Sequence, residues 1–405
     1  MYRILVVGDA VVPTGFARVI HAILERLCSI YEIHHLGLNY IGDPHTCSWR
    51  IYPAAAHGDS TGVNRLGNLI KSIDPQLIFM VGDAWILMQY AGHLTRLGSR
   101  IPCIAYFPVE SDPVEPDCMA HLLRSVTQLV TYTEFGAQAT RHAIRQARSR
   151  HPDLPDRSLL VVSHGVDTGV FYPLKPGASR EAARVLARSL LFGDKNPYRN
   201  DFIILNANRN QPRKRIDVTL QAFSLFAQNK PANVRLYLHM ARQDAGWDIQ
   251  RLASRLGILD RLLVTRNDNE YCREPVEKLN LIYNACDIGV NTASAEGWGL
   301  VAFEHAATGA PQIVPRHTSQ PELWEYAAEL VTPRFSLITE NILTKAYYLD
   351  PQDVAAAMDR LYSDSDYCQR LGEAARLRAT EKKFSWDSIC TRWTEIFSNI
   401  INKKI

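Results

Sequence analysis

The chain has 405 residues, 46% of them hydrophobic and 21% charged, with 45 basic side chains against 42 acidic ones for a formal net charge of +3. At about 150 residues per domain, that length gives two or three domains with full cores. The composition excludes a disordered chain, a small disulfide scaffold and a fibrous repeat, and the balanced charge gives no global signal for nucleic acid.

The opening MYRILVVGD (1–9) reads as a first strand and not as a signal peptide. GDAVVPTGFARV (8–19) then turns into ARVIHAILERLC (17–28), whose apolar residues recur at helical spacing. The most apolar stretch, 76–92, is interrupted by Gly82 and Asp83, so it predicts no bilayer span and leaves only peripheral membrane contact. Strand-like runs follow at 103–107, 128–133 and 159–163. Between the last two, Arg141, Arg145 and Arg148 share one helix face, either solvated or drawn to an anionic surface. A stretch rich in Pro, Gly and Asn with one amphipathic helix (171–200) predicts a linker region. Apolar runs resume at 202–208, 234–240, 261–265, 287–292 and 311–315, and from Pro351 the pattern is helical to the end. Continuous apolar runs suit strands covered on both faces, as in parallel sheets.

The fold class is therefore α/β, with two doubly wound Rossmann-like domains facing across a cleft. Residues 1–170 form the first, completed by the helix 385–402, and 201–384 form the second. Eight scattered cysteines without zinc spacing fit a reduced, metal-free, cytoplasmic protein.

Chemistry in such sheets sits just beyond the strands. The most specific segment is NTASAEGWGLVAFEHAATGAP (291–311), where a strand ends, a small-residue loop follows and a helix begins near Gly299. Gly297 and Gly299 expose N–H groups at a helix start, a place for a phosphate. Glu304, inside the helix, is placed to accept hydrogen bonds from sugar hydroxyls, and Glu296 lies on the loop. Either acid alone would pass for a solvated carboxylate; the pair around a Gly-aromatic-Gly turn points to a site. A second strand–turn–helix unit, 204–223, carries Arg209 and Lys214, fixed cations suited to a leaving diphosphate.

The stretch from Glu296 to Pro311 resembles the E-x7-E signature of the retaining GT-B glycosyltransferases of family 4. That resemblance implies that Glu304 holds the nucleotide ribose, that Glu296 approaches the donor sugar, and that Gly297, Trp298, Gly299 and Leu300 meet the diphosphate and sugar. Arg209 and Lys214 match the family's R-x4-K pair. VVSHGVDTGVFYPL (161–174) is similar to its interdomain segment, and Phe384-Ser385-Trp386-Asp387 to the motif that opens its last helix. The loop after Val264, with Arg266, corresponds to the base contact.

The first half is less typical. Thr14-Gly15 stands where the family has two glycines, and Gly15 lets the backbone approach a ligand. Pro108 stands where many relatives carry a histidine, with Glu110 and Asp112 nearby. Thr14, Glu110, Asp112 and Thr133 are the acceptor-side candidates. The resemblance implies transfer of a hexose from a UDP- or GDP-sugar co-substrate, without a metal cofactor, to a glycan, lipid-linked or protein acceptor. A nucleotide-sugar epimerase, a phosphorylase and a non-catalytic subunit that binds a partner glycosyltransferase are the other readings. The Arg209/Lys214 clamp with Glu304 argues against the phosphorylase.

Overall fold

The structure, a computed structural model, describes residues 1–55, 59–193, 195–265, 274–340 and 342–402. The chain forms two compact units, residues 1–165 with 386–405, and residues 166–385.

The first unit is built on seven strands among the described residues: β1 (Arg3–Asp9), β2 (Glu32–Leu38), β3 (Arg50–Pro53), β4 (Leu77–Val81), β5 (Cys103–Phe107), β6 (Gln128–Thr131) and β7 (Leu159–Val161). All pair in parallel, in the order β3-β2-β1-β4-β5-β6-β7. Successive side chains of a strand point to opposite faces. Leu5, Val7 and Met80 join one core cluster. On the other face Phe79 and Tyr106 meet Trp393 of the helix Trp386–Asn402, with ring centroids 4.8 and 4.9 Å apart. That contact fixes the final helix to the first unit. β2 escapes the apolar-run criterion because it contains His34 and His35. The His35 ring is fully buried, donates from Nε2 to the Gly8 carbonyl at 3.1 Å, and is held by burial at a pKa of about 3, so it packs as a neutral group.

The second unit carries six parallel strands among the described residues: β8 (Phe202–Asn206), β9 (Val234–Leu238), β10 (Leu262–Val264), β11 (Ile288–Val290), β12 (Gln312–Pro315) and β13 (Glu329–Val331). Their order is β10-β9-β8-β11-β12-β13, with Ile204 opposite Ile288 where the chain direction of winding reverses. An antiparallel hairpin, β14 (Phe335–Ile338) and β15 (Lys345–Tyr348), belongs to neither parallel sheet and was not foreseen.

Residues 171–200 are not a free linker. The helix Arg180–Phe192 packs on the helix Val276–Ala285. Its Arg188, fully buried, donates to the carbonyls of Ala285 and Asp201 and to the Asp287 carboxylate, each at 2.8 Å. Asp287 in turn accepts from the Ile203 amide at 2.7 Å. The polar composition that suggests a linker is an internal cation network, and the second unit begins at Val166. The arginine face at 141–148 is likewise partly neutralised, by Arg141–Glu134 and Arg148–Asp156 contacts of 3.7 and 2.6 Å. Among the described residues no helix is long and apolar enough to cross a membrane, and all described cysteines are free.

Candidate active site

The residues that sequence reasoning singled out in the second unit converge at the carboxyl ends of β8 and β11, neighbours at the switch point of the sheet. Two loops are clasped there. The Ser294 amide donates to the Arg213 carbonyl at 2.8 Å, and Arg213 Nη1 returns a bond of 2.7 Å to the Ala295 carbonyl. Beneath them runs a buried polar chain: Asn206 Nδ2 to Thr219 Oγ1 at 2.9 Å, Thr219 Oγ1 with Thr292 Oγ1 at 2.7 Å, and Thr292 Oγ1 to the Arg215 carbonyl at 2.8 Å. A chain of this kind fixes both loops because every buried polar group needs its partner.

On this base Lys214 Nζ donates to Glu296 Oε2 at 2.5 Å, with Arg213 Nη1 at 3.7 Å from the other carboxylate oxygen. Glu296 is only 5% exposed. Burial alone would raise its carboxyl pKa. The Lys214 and Arg213 charges, with hydrogen bonds from Lys214 and Asn291, outweigh that and hold it at about 2. Glu296 is thus an anion at any ordinary pH. Arg209, at the outer end of the same loop, pairs with Asp244 at 2.7 Å. The expected cation pair is present, and each member has a carboxylate beside it, Glu296 for Lys214 and Asp244 for Arg209.

The turn after Glu296 leads into the helix Leu300–Ala307 through Gly299 at φ +91°, a backbone conformation that glycine adopts without strain. Trp298 faces inward: its ring stacks on Phe303 with centroids 4.7 Å apart, so only its backbone faces the turn in the way the motif implies. Glu304 is 2% exposed and accepts a 2.9 Å bond from the Tyr283 phenol, so it is a buried carboxylate and not a solvated helix residue.

Sequence reasoning missed what holds the turn. Four consecutive side chains after β12 each bond a carbonyl of the 293–298 loop. His317 Nε2 meets the Ala293 oxygen at 2.9 Å, Thr318 Oγ1 and Ser319 Oγ meet the Glu296 oxygen at 2.9 and 2.7 Å, and Gln320 Nε2 meets the Trp298 oxygen at 3.2 Å. Thr318 sits at φ +49°, uncommon and strained for a β-branched residue. Holding these carbonyls fixes the peptide planes whose opposite edges carry the N–H groups of the turn. The polar run His317–Thr318–Ser319–Gln320 beside an apolar strand was the only available signal. Arg266 lies outside the described residues.

The acceptor-side candidates of the first unit fall on three separate turns. Thr14 caps the helix Gly15–Leu27, accepting from the Ala17 amide at 3.1 Å and donating to Asp9 at 2.6 Å. Gly15 is that helix's first residue. Thr133 caps the helix Glu134–Arg150 through the Gly136 amide at 3.1 Å and is 2% exposed. Both hydroxyls therefore have structural work. Glu110 and Asp112 are partly exposed on the turn after β5. A residue not foreseen is Tyr132, whose buried hydroxyl has no hydrogen-bond partner among the described residues and whose pKa is raised by burial, then by Tyr106, Asp83 and Glu110.

Residues 188–378 match the family described as glycosyl transferases group 1. The chain is 28% identical over 256 residues to a D-inositol 3-phosphate glycosyltransferase of Thermomonospora curvata, covering 60% of this chain and 52% of that protein. To the enzyme of the same name from Corynebacterium kroppenstedtii it is 27% identical over 304 residues, covering 72% and 58%. The chain thus spans little more than half the length of these relatives. Among solved structures, sucrose-phosphate synthase of Thermosynechococcus elongatus superposes with a TM-score of 0.73 at 16% identity over 100% of both chains. HepE of Anabaena, in complex with UDP and glucose, gives 0.69 at 16% identity over 98% of this chain and 100% of the other. The fold is that of the GT-B glycosyltransferases.

Proposed function

We propose, from the match of residues 188–378 to the family described as glycosyl transferases group 1, that the chain moves a hexose from a nucleoside diphosphate to an acceptor hydroxyl with retained configuration. The observation that carries the reading is the buried Lys214–Glu296 pair beneath a glycine turn at a helix start. Departure of a nucleoside diphosphate builds negative charge on phosphate oxygens. Lys214, Arg213, Arg209 and the N–H groups near Gly297 and Gly299 supply fixed positive charge there, in the place that a divalent ion takes in other sites.

Glu296, ionised and held by Lys214, suits the orienting of donor-sugar hydroxyls and not proton donation. The sugar then passes through an oxocarbenium-like state. The reading takes a front-face path in which the leaving phosphate oxygen receives the acceptor's proton. Glu304 takes the ribose hydroxyls, and Tyr283 fixes its carboxylate for that task. The acceptor belongs to glycan or glycolipid synthesis.

A panel of UDP- and GDP-sugars, each with and without candidate acceptors, tests the reading by nucleotide release. Slow release without acceptor, accelerated by one acceptor, is the expected result. A new free nucleotide-sugar with no acceptor demand would make the protein an epimerase, and binding without turnover would make it a non-catalytic subunit. Within the transferase reading, Glu304→Ala weakens nucleotide binding, whereas Glu296→Ala lowers kcat more than nucleotide affinity. Equal and small effects from both sink the assignment.

A further inference from the structure

The hairpin β14–β15 stands between β13 and the helix Pro351–Ser363, outside both parallel sheets. A two-stranded hairpin is marginal in water by itself, so what anchors it matters. Its inner strand is tied to the loops of the second unit's site. The Tyr347 amide donates to the Ser294 carbonyl at 2.8 Å, and the Tyr347 ring stacks on His317 with centroids 4.9 Å apart. The Tyr348 ring centroid lies 4.7 Å from the guanidinium carbon of Arg215. β15 is a fixed platform.

The outer strand is the reverse. All four residues of β14 are exposed, Phe335 and Leu337 at 56% and Ile338 at 58%. Antiparallel ladders alternate between pairs that exchange two hydrogen bonds and pairs that exchange none. Tyr347 gives its amide to Ser294, so Tyr347 and its register partner Ser336 form a pair of the second kind. Ile338 with Lys345, two residues on, forms another. The N–H and C=O groups of Ser336 and Ile338 therefore point away from β15, along an edge that pairs with no strand among the described residues. Natural edge strands are commonly blunted by lysine or proline. The run Arg334–Glu340, RFSLITE, contains neither.

That run complements its own reverse. Laid antiparallel on a second copy about Leu337, it sets Arg334 opposite Glu340, Phe335 opposite Thr339, Ser336 opposite Ile338, and Leu337 opposite Leu337. In this register each Ser336–Ile338 pair exchanges both N–H···O bonds, and the close pair at the centre is leucine on leucine. Arg334 and Glu340 are both exposed, Arg334 with 59% of its side chain open while it bonds Asp353 at 2.8 Å. Sliding the copies by two residues keeps the backbone bonds but sets Arg334 opposite Ile338, or Glu340 opposite Ser336. The charges select one register. They also favour a second copy over a bilayer, which offers no counterpart to opposite charges at the two ends of one strand.

We propose that β14 is a self-association edge: it pairs with β14 of a second copy of this chain and joins two hairpins into one four-stranded antiparallel sheet about a two-fold axis at Leu337. The contact is isologous and closes at two copies, because the other edge of each hairpin is held by the Ser294 loop. It stands independently of the transferase reading.

Sedimentation equilibrium of the full chain from about 1 to 200 µM tests it. The contact is small, so a monomer–dimer equilibrium with a Kd of about 10 µM is expected, without larger species. Leu337→Lys faces two lysines across the axis. Glu340→Arg sets arginine against Arg334 at both ends of the pairing, and Arg334→Glu sets carboxylate against Glu340. Each change weakens association at least about tenfold. An equimolar mixture of the Glu340→Arg and Arg334→Glu chains recovers it, because every end of the mixed pair again joins opposite charges. All three side chains are exposed, so the variants keep the fold, which circular dichroism checks. Four results overturn the proposal: a monomer at every concentration, a dimer indifferent to Leu337→Lys, a mixture that associates no better than its components, or lipid vesicles capturing the hairpin in place of self-association.

Discussion

The first six strands of the seven-stranded unit and the six of the second follow the same relative order, yet the ligand edges of the two units are built differently. In the second unit the edge is a knot of charge and carbonyl bonds: Lys214 on Glu296, Arg188 on Asp287, and four side chains after β12 on the 293–298 loop. In the first, the corresponding turns are closed by single hydroxyl caps, Thr14 and Thr133, over an aromatic interior of Phe79, Tyr106 and Trp393. One topology supports either arrangement, because the strands fix where the loops emerge and the loops decide what they hold.

The largest effect expected from this contrast is on stability. Arg188→Ala removes one of the two guanidinium partners of buried Asp287, Arg184 being the other, and withdraws the donor from the Ala285 and Asp201 carbonyls, a loss of about 3 kcal/mol. The cost falls on the second unit alone. Calorimetry should resolve an earlier transition for that unit with the first unit's transition in place, and a single unshifted transition would contradict the buried-charge account.

Next comes turnover. Lys214→Ala removes a cation from the leaving-group side, a loss of about 10²–10³ in kcat. Steady-state nucleotide release against the best donor measures it, and a drop below about threefold would place the departing charge elsewhere.

Acid should weaken both units by one mechanism. Burial holds His35 and His164 of the first unit at about 3, and His317 of the second at about 4. Unfolded histidine binds its proton near 6.5, so the folded state loses ground as pH falls below that value and continues to do so until each folded pKa is reached. The slope is about 1.4 kcal/mol per pH unit for each such group. Glu296 acts in the same direction over a lower window: its contribution is complete above the ordinary carboxylate value and is lost as pH falls from there to about 2. Urea midpoints at pH 7, 6 and 5 should therefore fall steadily, and a flat series would mean that these histidines charge without penalty.

A smaller effect separates the four-residue brace from mere packing. Ser319→Ala removes one of two hydroxyls on the Glu296 carbonyl and costs about 1 kcal/mol. If the brace orients the turn, affinity for UDP or GDP falls severalfold while affinity for the bare nucleoside is unchanged, and Ser319→Thr restores it. Parallel losses for nucleoside and diphosphate would reduce the brace to scaffolding.

What could be read from sequence follows the same division. The second unit's site was legible because Glu296, Gly297, Gly299 and Glu304 lie within one turn and one helix, where spacing alone relates them. Arg209 and Lys214 were legible because they share a loop. Arg188 was not: its meaning lies in Asp287, 99 residues away, and isolated arginine on an amphipathic helix looks solvated. β2 was hidden by two histidines that burial keeps neutral. The β12 brace was hidden because side chain-to-carbonyl bonds leave no periodic trace. In the first unit each turn offers one or two polar residues, and nothing in their spacing distinguishes a ligand contact from a cap.

Thr133 is the sharpest case. Its hydroxyl accepts from the Gly136 amide, so Thr133→Ala removes an N-cap and costs about 1 kcal/mol of stability. Thr133→Ser keeps the cap and should be close to neutral. If capping is its whole role, the alanine variant changes acceptor KM no more than its small loss of folded protein requires. A tenfold rise in acceptor KM in the serine variant, with stability intact, would instead require the methyl group to touch the acceptor, since the hydroxyl is still present. That result would return Thr133 to the acceptor side and make the first unit's edge more like the second's: a site whose caps also serve as contacts.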